Sequence, residues 1–192
     1  MKKKSSQVTT LNAARIYQIK VTLKWSKPPI WRRLQVRGDT KLGKLHHILQ
    51  VAFGWTDSHL HAFNANGIDY GEPDPYFPGD MRSERNVRLD KIAQEGDTFR
   101  YEYDFGDSWV HEIKAEKVLA PEPGTRYPSC LAGKRACPPE DCGGVPGYER
   151  MLGILANPKD EEYEEITELL GEEFDPEAFD LGAVNEELAK LR

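Results

Sequence analysis

The stretch YDFGDSWVH, Tyr103 to His111, brings two aspartates, a serine, a tryptophan and a histidine close together in sequence. A serine nucleophile needs a histidine base that is itself held by an acid. His111 is the last histidine of the chain, so no later acid–histidine pair can serve Ser108. A base three residues along the same hairpin is also badly placed. Gly106-Asp107-Ser108 is good turn chemistry instead, and the stretch reads as a hairpin with a polar tip.

Three other groupings could hold a metal or move protons. Cys130, Cys137 and Cys142 follow the spacing C-x6-C-x4-C. Zinc takes four tetrahedral ligands, commonly from cysteine pairs two to four residues apart, so this spacing is wide and the fourth ligand, His111 or another, is undefined. Free or locally buried thiols are the simpler reading. His59 and His61 share one face of a strand and could chelate with His47 or Asp57. A histidine just after a helix more often serves the helix dipole or the backbone. Asp104, Asp107, Glu140 and Asp141 would make an acid–base or magnesium cluster if the Cys-rich loop folds over the hairpin. His111, in phase with Trp109 and Ile113, reads first as a core histidine. No cofactor is expected beyond a divalent metal, zinc, at one of these groups.

Charge supplies a binding alternative. Residues 1–44 carry 12 Lys or Arg against one acid, Asp39, whereas residues 149–192 carry 14 Asp or Glu against 4 Lys or Arg. A basic end attracts nucleic acid or an acidic protein, and equally the chain's own acidic tail. Trp31 falls out of phase with Ile30, Leu34 and Val36, so Trp31, Arg32 and Arg33 form the candidate binding face on the basic N-terminal hairpin.

The elements that must position these residues follow from periodicity. Tyr17, Ile19, Val21, Leu23 and Trp25 alternate with polar residues, the signature of a half-buried strand. After SKPP the period of two resumes through Leu34 and Val36, so the two strands form an antiparallel hairpin. Asp39 or Thr40 caps a helix whose apolar stripe is Leu42, Leu45, Ile48, Leu49, Ala52 and Phe53, ending at Gly54. A strand, an Asn66-Gly67 turn and a short strand come next. A Pro/Gly-rich excursion and a turn or short helix then lead to Phe99, Tyr101, Tyr103 and Phe105, four rings on one strand face. If Phe105 faces Trp109 across the turn, Tyr103 faces His111. Three helices follow the Cys-rich loop, striped by Tyr148–Leu155, by EEYEEITELLG and by Leu181, Val184, Leu188 and Leu191.

The order hairpin, helix, strand, excursion, strand predicts an α+β fold. It is that of a β-grasp, or ubiquitin-like, mixed sheet with one packed helix, an added β-hairpin and a C-terminal helical subdomain. Residues 1–14 read as a disordered basic tail, 15–120 as the sheet domain with its added hairpin. Residues 121–192 read as a Cys/Pro/Gly-rich loop and acidic helical tail packed on it as one unit. The chain is 192 residues, 39% apolar and 30% charged, with net charge −6, enough for one soluble core. No run reaches the ~18 apolar residues of a membrane span. An odd count of three cysteines fits a reducing, cytoplasmic setting.

The segments YQIKVTLKWSKPPIWRRLQV, LHHILQVAFGWTDSHLHAF, YEYDFGDSWVHEI, YPSCLAGKRACPPEDCGGVPGY and FDPEAFDLGAVNEEL resemble the plasmid pRiA4b ORF-3-like family, in order and from about Arg15 to the C-terminus. The resemblance implies bacterial and archaeal proteins, some carried on plasmids or with insertion sequences and labelled resolvase-like. It implies no established activity. The chain has neither the catalytic framework of a serine recombinase nor a helix-turn-helix tail, so the resolvase label gains no support. In the family the second and third cysteine positions vary more than PPED, which favours Asp104, Asp107, His111, Glu140 and Asp141 over the thiols, without giving any of them a role. The resulting expectation is a non-enzymatic binding or accessory protein of mobile-element origin, with nucleic acid or protein as partner. The alternative is a metal-dependent hydrolase or nuclease using the Asp/His/Glu cluster.

Overall fold

A computed structural model describes residues 14–191 apart from 74, 75, 77, 78 and 172. The expected basic tail, residues 1–14, lies outside the described residues except for Ala14. Strands β1 (Ile16–Leu23) and β2 (Trp31–Arg37) form the predicted antiparallel hairpin, with Ile19 opposite Leu34 and Val21 opposite Arg32. The alternation turns Tyr17, Ile19, Val21 and Leu23 into the core and Gln18, Lys20 and Thr22 outward. The strand stops at Leu23, and Trp25, expected on the inner face, takes a left-handed φ of 64° and is exposed.

Helix α1 (Leu42–Phe53) lays Leu42, Leu45, Ile48, Leu49, Ala52 and Phe53 on that inner face. Each buried Leu, Ile or Phe contributes roughly 1.5–3 kcal/mol. Gly54 ends the helix in the left-handed conformation, as its position predicts. Neither Asp39 nor Thr40 caps the other end. Lys41 stands there without a side-chain cap, the Leu42 amide donates to the Val87 carbonyl, and Asp39 is held by Arg37 instead.

Strands β3 (His61–Ala65) and β4 (Ile68–Gly71) flank the Asn66-Gly67 turn, both of whose residues have positive φ. The short β5 (Arg82–Ser83) and α2 (Leu89–Ile92) precede β6 (Thr98–Tyr103) and β7 (Trp109–Leu119). Segment Ser129–Lys134, expected as loop, is β8, paired antiparallel to β2. Among the described residues these make one eight-stranded sheet of order β5-β4-β3-β6-β7-β1-β2-β8, antiparallel except for β4–β5.

This order corrects the appended hairpin. β7 lies between β6 and β1, antiparallel to both, in the middle of the sheet. Its inward residues Trp109, His111, Ile113 and Ala115 are fully buried, and a strand with such a face belongs over the core rather than at an edge. The strand Thr98–Tyr103 is therefore not beside β1, where the β-grasp expectation puts a late strand.

Helices α3 (Gly144–Leu155), α4 (Tyr163–Leu170) and α5 (Leu181–Leu188) follow. α3 adds Val145 and Tyr148 to the main core, while Met151 and Ile154 pack with Ile166 of α4 in a smaller one. α5 rests on β8 and α1. There the Asn185 side-chain amide donates to the Cys130 carbonyl at 2.9 Å and accepts from its N–H at 2.8 Å.

Candidate functional site

The helical stripe of α1 contains an anomaly. His46 is four residues past Leu42 and three before Leu49, so its ring points inward and is almost fully buried. Its Nδ1 lies 2.7 Å from the Tyr101 hydroxyl and its Nε2 2.5 Å from Asp57 Oδ1. Burial, and then the neighbouring His61, lower its pKa to about 4, against the pull of Asp57, so the ring is neutral near pH 7. Gln50, one turn further on, donates to Tyr101 Oη at 2.9 Å and accepts the Asp57 amide at 2.9 Å. Asp57 is thereby held in a left-handed conformation, and its Oδ2 reaches His47 Nδ1 at 3.2 Å. His46, His47 and Asp57 each offer one ligand atom, all within 4.8 Å of one another.

His61, on β3, stacks on His46 with centroids 3.5 Å apart, and its Nε2 lies 3.0 Å from Glu84 Oε2. Glu84 is buried beneath α1 because Gly43 leaves room: a Cβ there would lie 2.9 Å from Glu84 Oε1. A cleft of about 530 Å³ opens over these groups, walled in part by His46, His47, Asp57, His59, His61 and Glu84.

His59 and His61 both line this cleft but take different partners. His59 Nε2 lies 3.2 Å from Asp141 Oδ1 and its Nδ1 3.7 Å from Asp104 Oδ1. His59, Asp104 and Asp141 form the second group with ligand atoms within 4.8 Å.

The Cys-rich loop does fold over the hairpin. Glu140 accepts from the Tyr103 hydroxyl and from Thr56 Oγ1 in two short bonds. The Trp55 indole donates to the Pro138 carbonyl at 3.1 Å, and Asp107 Oδ2 accepts the Gly143 amide at 3.1 Å. Thus Asp104 and Asp141 meet at His59, whereas Asp107 and Glu140 fasten the loop.

His111 is not part of this group. It is opposite Tyr101, not Tyr103, because β6 ends at Tyr103 and Asp104 turns left-handed; Tyr103 faces Trp109, and Phe105 is exposed. His111 packs edge-on against Phe53 and Trp55, its Nδ1 2.9 Å from the Trp109 carbonyl. Burial lowers its pKa to about 3. Ser108 donates to Glu102 at 2.8 Å.

The two metal-spaced groups include none of the cysteines. Cys130 sits on β8 with its thiol 3.4 Å from the Ala132 carbonyl, and Cys142 is 3.9 Å from the Gly144 carbonyl. Burial raises the pKa of Cys130 and Cys137, and that of Cys142 to about 12, so all three are neutral thiols.

The expected binding face divides. Arg32 points into the core, 3% exposed, and its guanidinium lies between the rings of Phe53 and Phe179 at 5.1 and 4.3 Å. It donates to the carbonyls of Ala52, Trp31 and Lys134. Arg33 and Trp31 face outward, but Arg33 is bound through two nitrogens to Glu116, and both Arg33 and Lys20 lie over the Trp31 ring. Glu116 answers with a pKa lowered to about 2, chiefly by the Arg33 hydrogen bonds.

Sequence reading missed His46 and Glu84. A polar residue in an apolar helical stripe was the available signal for His46. Nothing local marked Glu84, which the excursion after β4 carries under the helix. Among the described residues no helix is long and apolar enough to cross a membrane.

Relatives agree with this architecture. The uncharacterized protein y4hQ of Sinorhizobium fredii (strain NBRC 101917 / NGR234) is 36% identical over 181 residues, 93% of each chain. The crystal structure of the protein of unknown function MM3350 from Methanosarcina mazei Go1 is similar with a TM-score of 0.83 at 38% identity, covering 88% of this chain and 97% of that one. The family model of the plasmid pRiA4b ORF-3-like protein matches residues 15–183, and the chain belongs to that family.

Proposed function

We propose that the cleft beside α1 binds a divalent transition-metal ion through His46, His47 and Asp57 and directs hydrolysis of a small polar substrate. The observation that carries this reading is the convergence of those three ligand atoms within 4.8 Å on the wall of an open cleft. Two imidazoles and one carboxylate suit zinc or manganese and leave coordination positions for water and substrate. Metal at His46 Nε2 would fix the tautomer protonated at Nδ1, whose proton then points at the Tyr101 oxygen, the outer-shell arrangement such ligands need. A bound ion would supply a water acidified toward neutrality. Glu84, in the same cleft and paired with His61, would be a carboxylate available to accept its proton.

Arg33 and Lys24 of the N-terminal hairpin are matched to Glu116 and Glu112, which leaves those two cations less available to an acidic partner. The test is calorimetric titration of chelator-treated protein with Zn²⁺ and Mn²⁺, followed by a panel of chromogenic esters, amides and phosphoesters. The expected result is saturable binding and metal-dependent turnover; His47→Ala, whose ring is mostly exposed, loses the turnover and the ion bound in the cleft. Equal binding by wild type and His47→Ala would overturn the metal assignment. Metal binding without turnover of any substrate class would overturn the hydrolytic one.

A further inference from the structure

We propose that His59, Asp104 and Asp141 form a second cation site, separate from the His46 ligands, which fastens residues 135–143 to the β6–β7 hairpin. Their ligand atoms converge within 4.8 Å, one from the segment before β3, one from the end of β6 and one from the loop.

Two observations on the ring and the carboxylate point to a ligand. His59 Nε2 is shut off from solvent and makes no hydrogen bond. Asp141 Oδ1 is 3.2 Å away but lies outside hydrogen-bonding geometry, so that nitrogen is close to a carboxylate without sharing a proton with it. A buried ring nitrogen left this way has given up its water without gaining a partner. Asp104 is 8% exposed, and among the described residues His59 is its only ion-pair neighbour. Its Oδ1 accepts the Gly106 amide at 2.9 Å, which fixes that oxygen beside the His59 ring. A cation between the three groups satisfies the orphan nitrogen and bridges the two carboxylates that flank it.

The ligand types define the ion. One imidazole and two carboxylates suit Zn²⁺ or Mn²⁺ better than Ca²⁺, which takes six to eight oxygens. The site's mechanical role follows from what surrounds Asp141. Glu140 is tied to Tyr103 and Thr56, and Gly143 to Asp107. The loop is thus pinned on either side of Asp141, whose own side chain is 76% exposed. An ion there would join the loop to His59 on the cleft wall, a further fastening between the two pins.

Asp141→Asn tests this on the full chain, because an exposed side chain can be changed without disturbing the core. Zn²⁺ equivalents retained after desalting, and the Zn²⁺-induced rise in melting temperature, are measured for wild type, Asp141→Asn, His47→Ala and the double variant. Two equivalents in wild type, one in each single variant and none in the double variant are expected. Zn²⁺ is also expected to slow proteolytic cleavage within residues 135–143 in wild type and not in Asp141→Asn. Two equivalents in Asp141→Asn would overturn the proposal. So would a single wild-type equivalent lost only in His47→Ala, which leaves the cleft reading intact. A single equivalent lost only in Asp141→Asn supports this site and overturns the cleft reading.

Discussion

The rings of His46 and His61 lie face to face, centroids 3.5 Å apart and planes 5° from parallel. Two protonated rings at that separation would repel by about 5 kcal/mol at an effective dielectric of 20. His46, with its pKa at about 4, is neutral near pH 7, so the stack does not hold two charged rings there. The stack therefore keeps a ring nitrogen available on the cleft wall, and the residues beneath it become testable.

Gly43 is the narrowest point of that support. Gly43→Ala would set a methyl 2.9 Å from Glu84 Oε1 and push the carboxylate off His61. Overpacking of this kind costs about 1–3 kcal/mol. Denaturant midpoints should fall accordingly, and Zn²⁺ affinity should fall with them. A variant as stable as wild type would show that Glu84 swings aside freely.

Arg32 and Arg33, adjacent in sequence, should behave differently. Arg32→Lys loses the planar fork that reaches three carbonyls between two rings, and is expected to cost about 3 kcal/mol, independent of salt. Arg33→Ala breaks a partly exposed pair with Glu116 and should cost about 1 kcal/mol or less, shrinking as salt rises. Urea melts at low and high salt separate the two.

Their contrast shows what the sequence could carry. The period of two assigned β1, β2 and the aromatic face of β6, and the helical stripe assigned α1, because each burial pattern repeats along its own element. It could not tell that the buried phase of β2 includes an arginine, since the compensating carbonyls and rings come from α1, β8 and the segment before α5. Segment Ser129–Lys134 has no alternation to detect and is a strand only because β2 offers it an edge. The Asp104, Asp141 and His59 grouping is half legible: the sequence lets the carboxylates meet if the loop folds over the hairpin, but its spacing pairs His59 with His61. Neighbouring side chains before and along β3 were directed to different partners by a loop whose path the spacing does not encode.

Acid should weaken the fold through His111. Its pKa is about 3 in the folded protein against about 6.5 when exposed, so the unfolded chain binds the extra proton between those values. Stability is fully present above pH 6.5 and falls by up to about 1.4 kcal/mol per pH unit toward pH 3. His111→Gln removes this group's share, so its stability should depend less steeply on pH than that of wild type across that window. Parallel slopes would place the acid sensitivity elsewhere.

Gly144 governs the loop. It has φ of +68°, and a Cβ would lie 2.4 Å from the Asp107 carbonyl oxygen. Gly144→Ala combines a strained backbone with a backbone clash and should cost about 3 kcal/mol. Because it forces the loop from the hairpin tip, it should also accelerate cleavage within residues 135–143, which limited proteolysis reads directly.

Asn185 gives the sheet its boundary. A primary amide carries the same donor and acceptor as a peptide group, and at Cys130 its two bonds reproduce what an adjoining strand would supply. Exposed strand edges invite pairing with other chains. Here a single side chain from a helix impersonates the next strand, so another copy seeking that edge would first have to evict a partner the protein already owns.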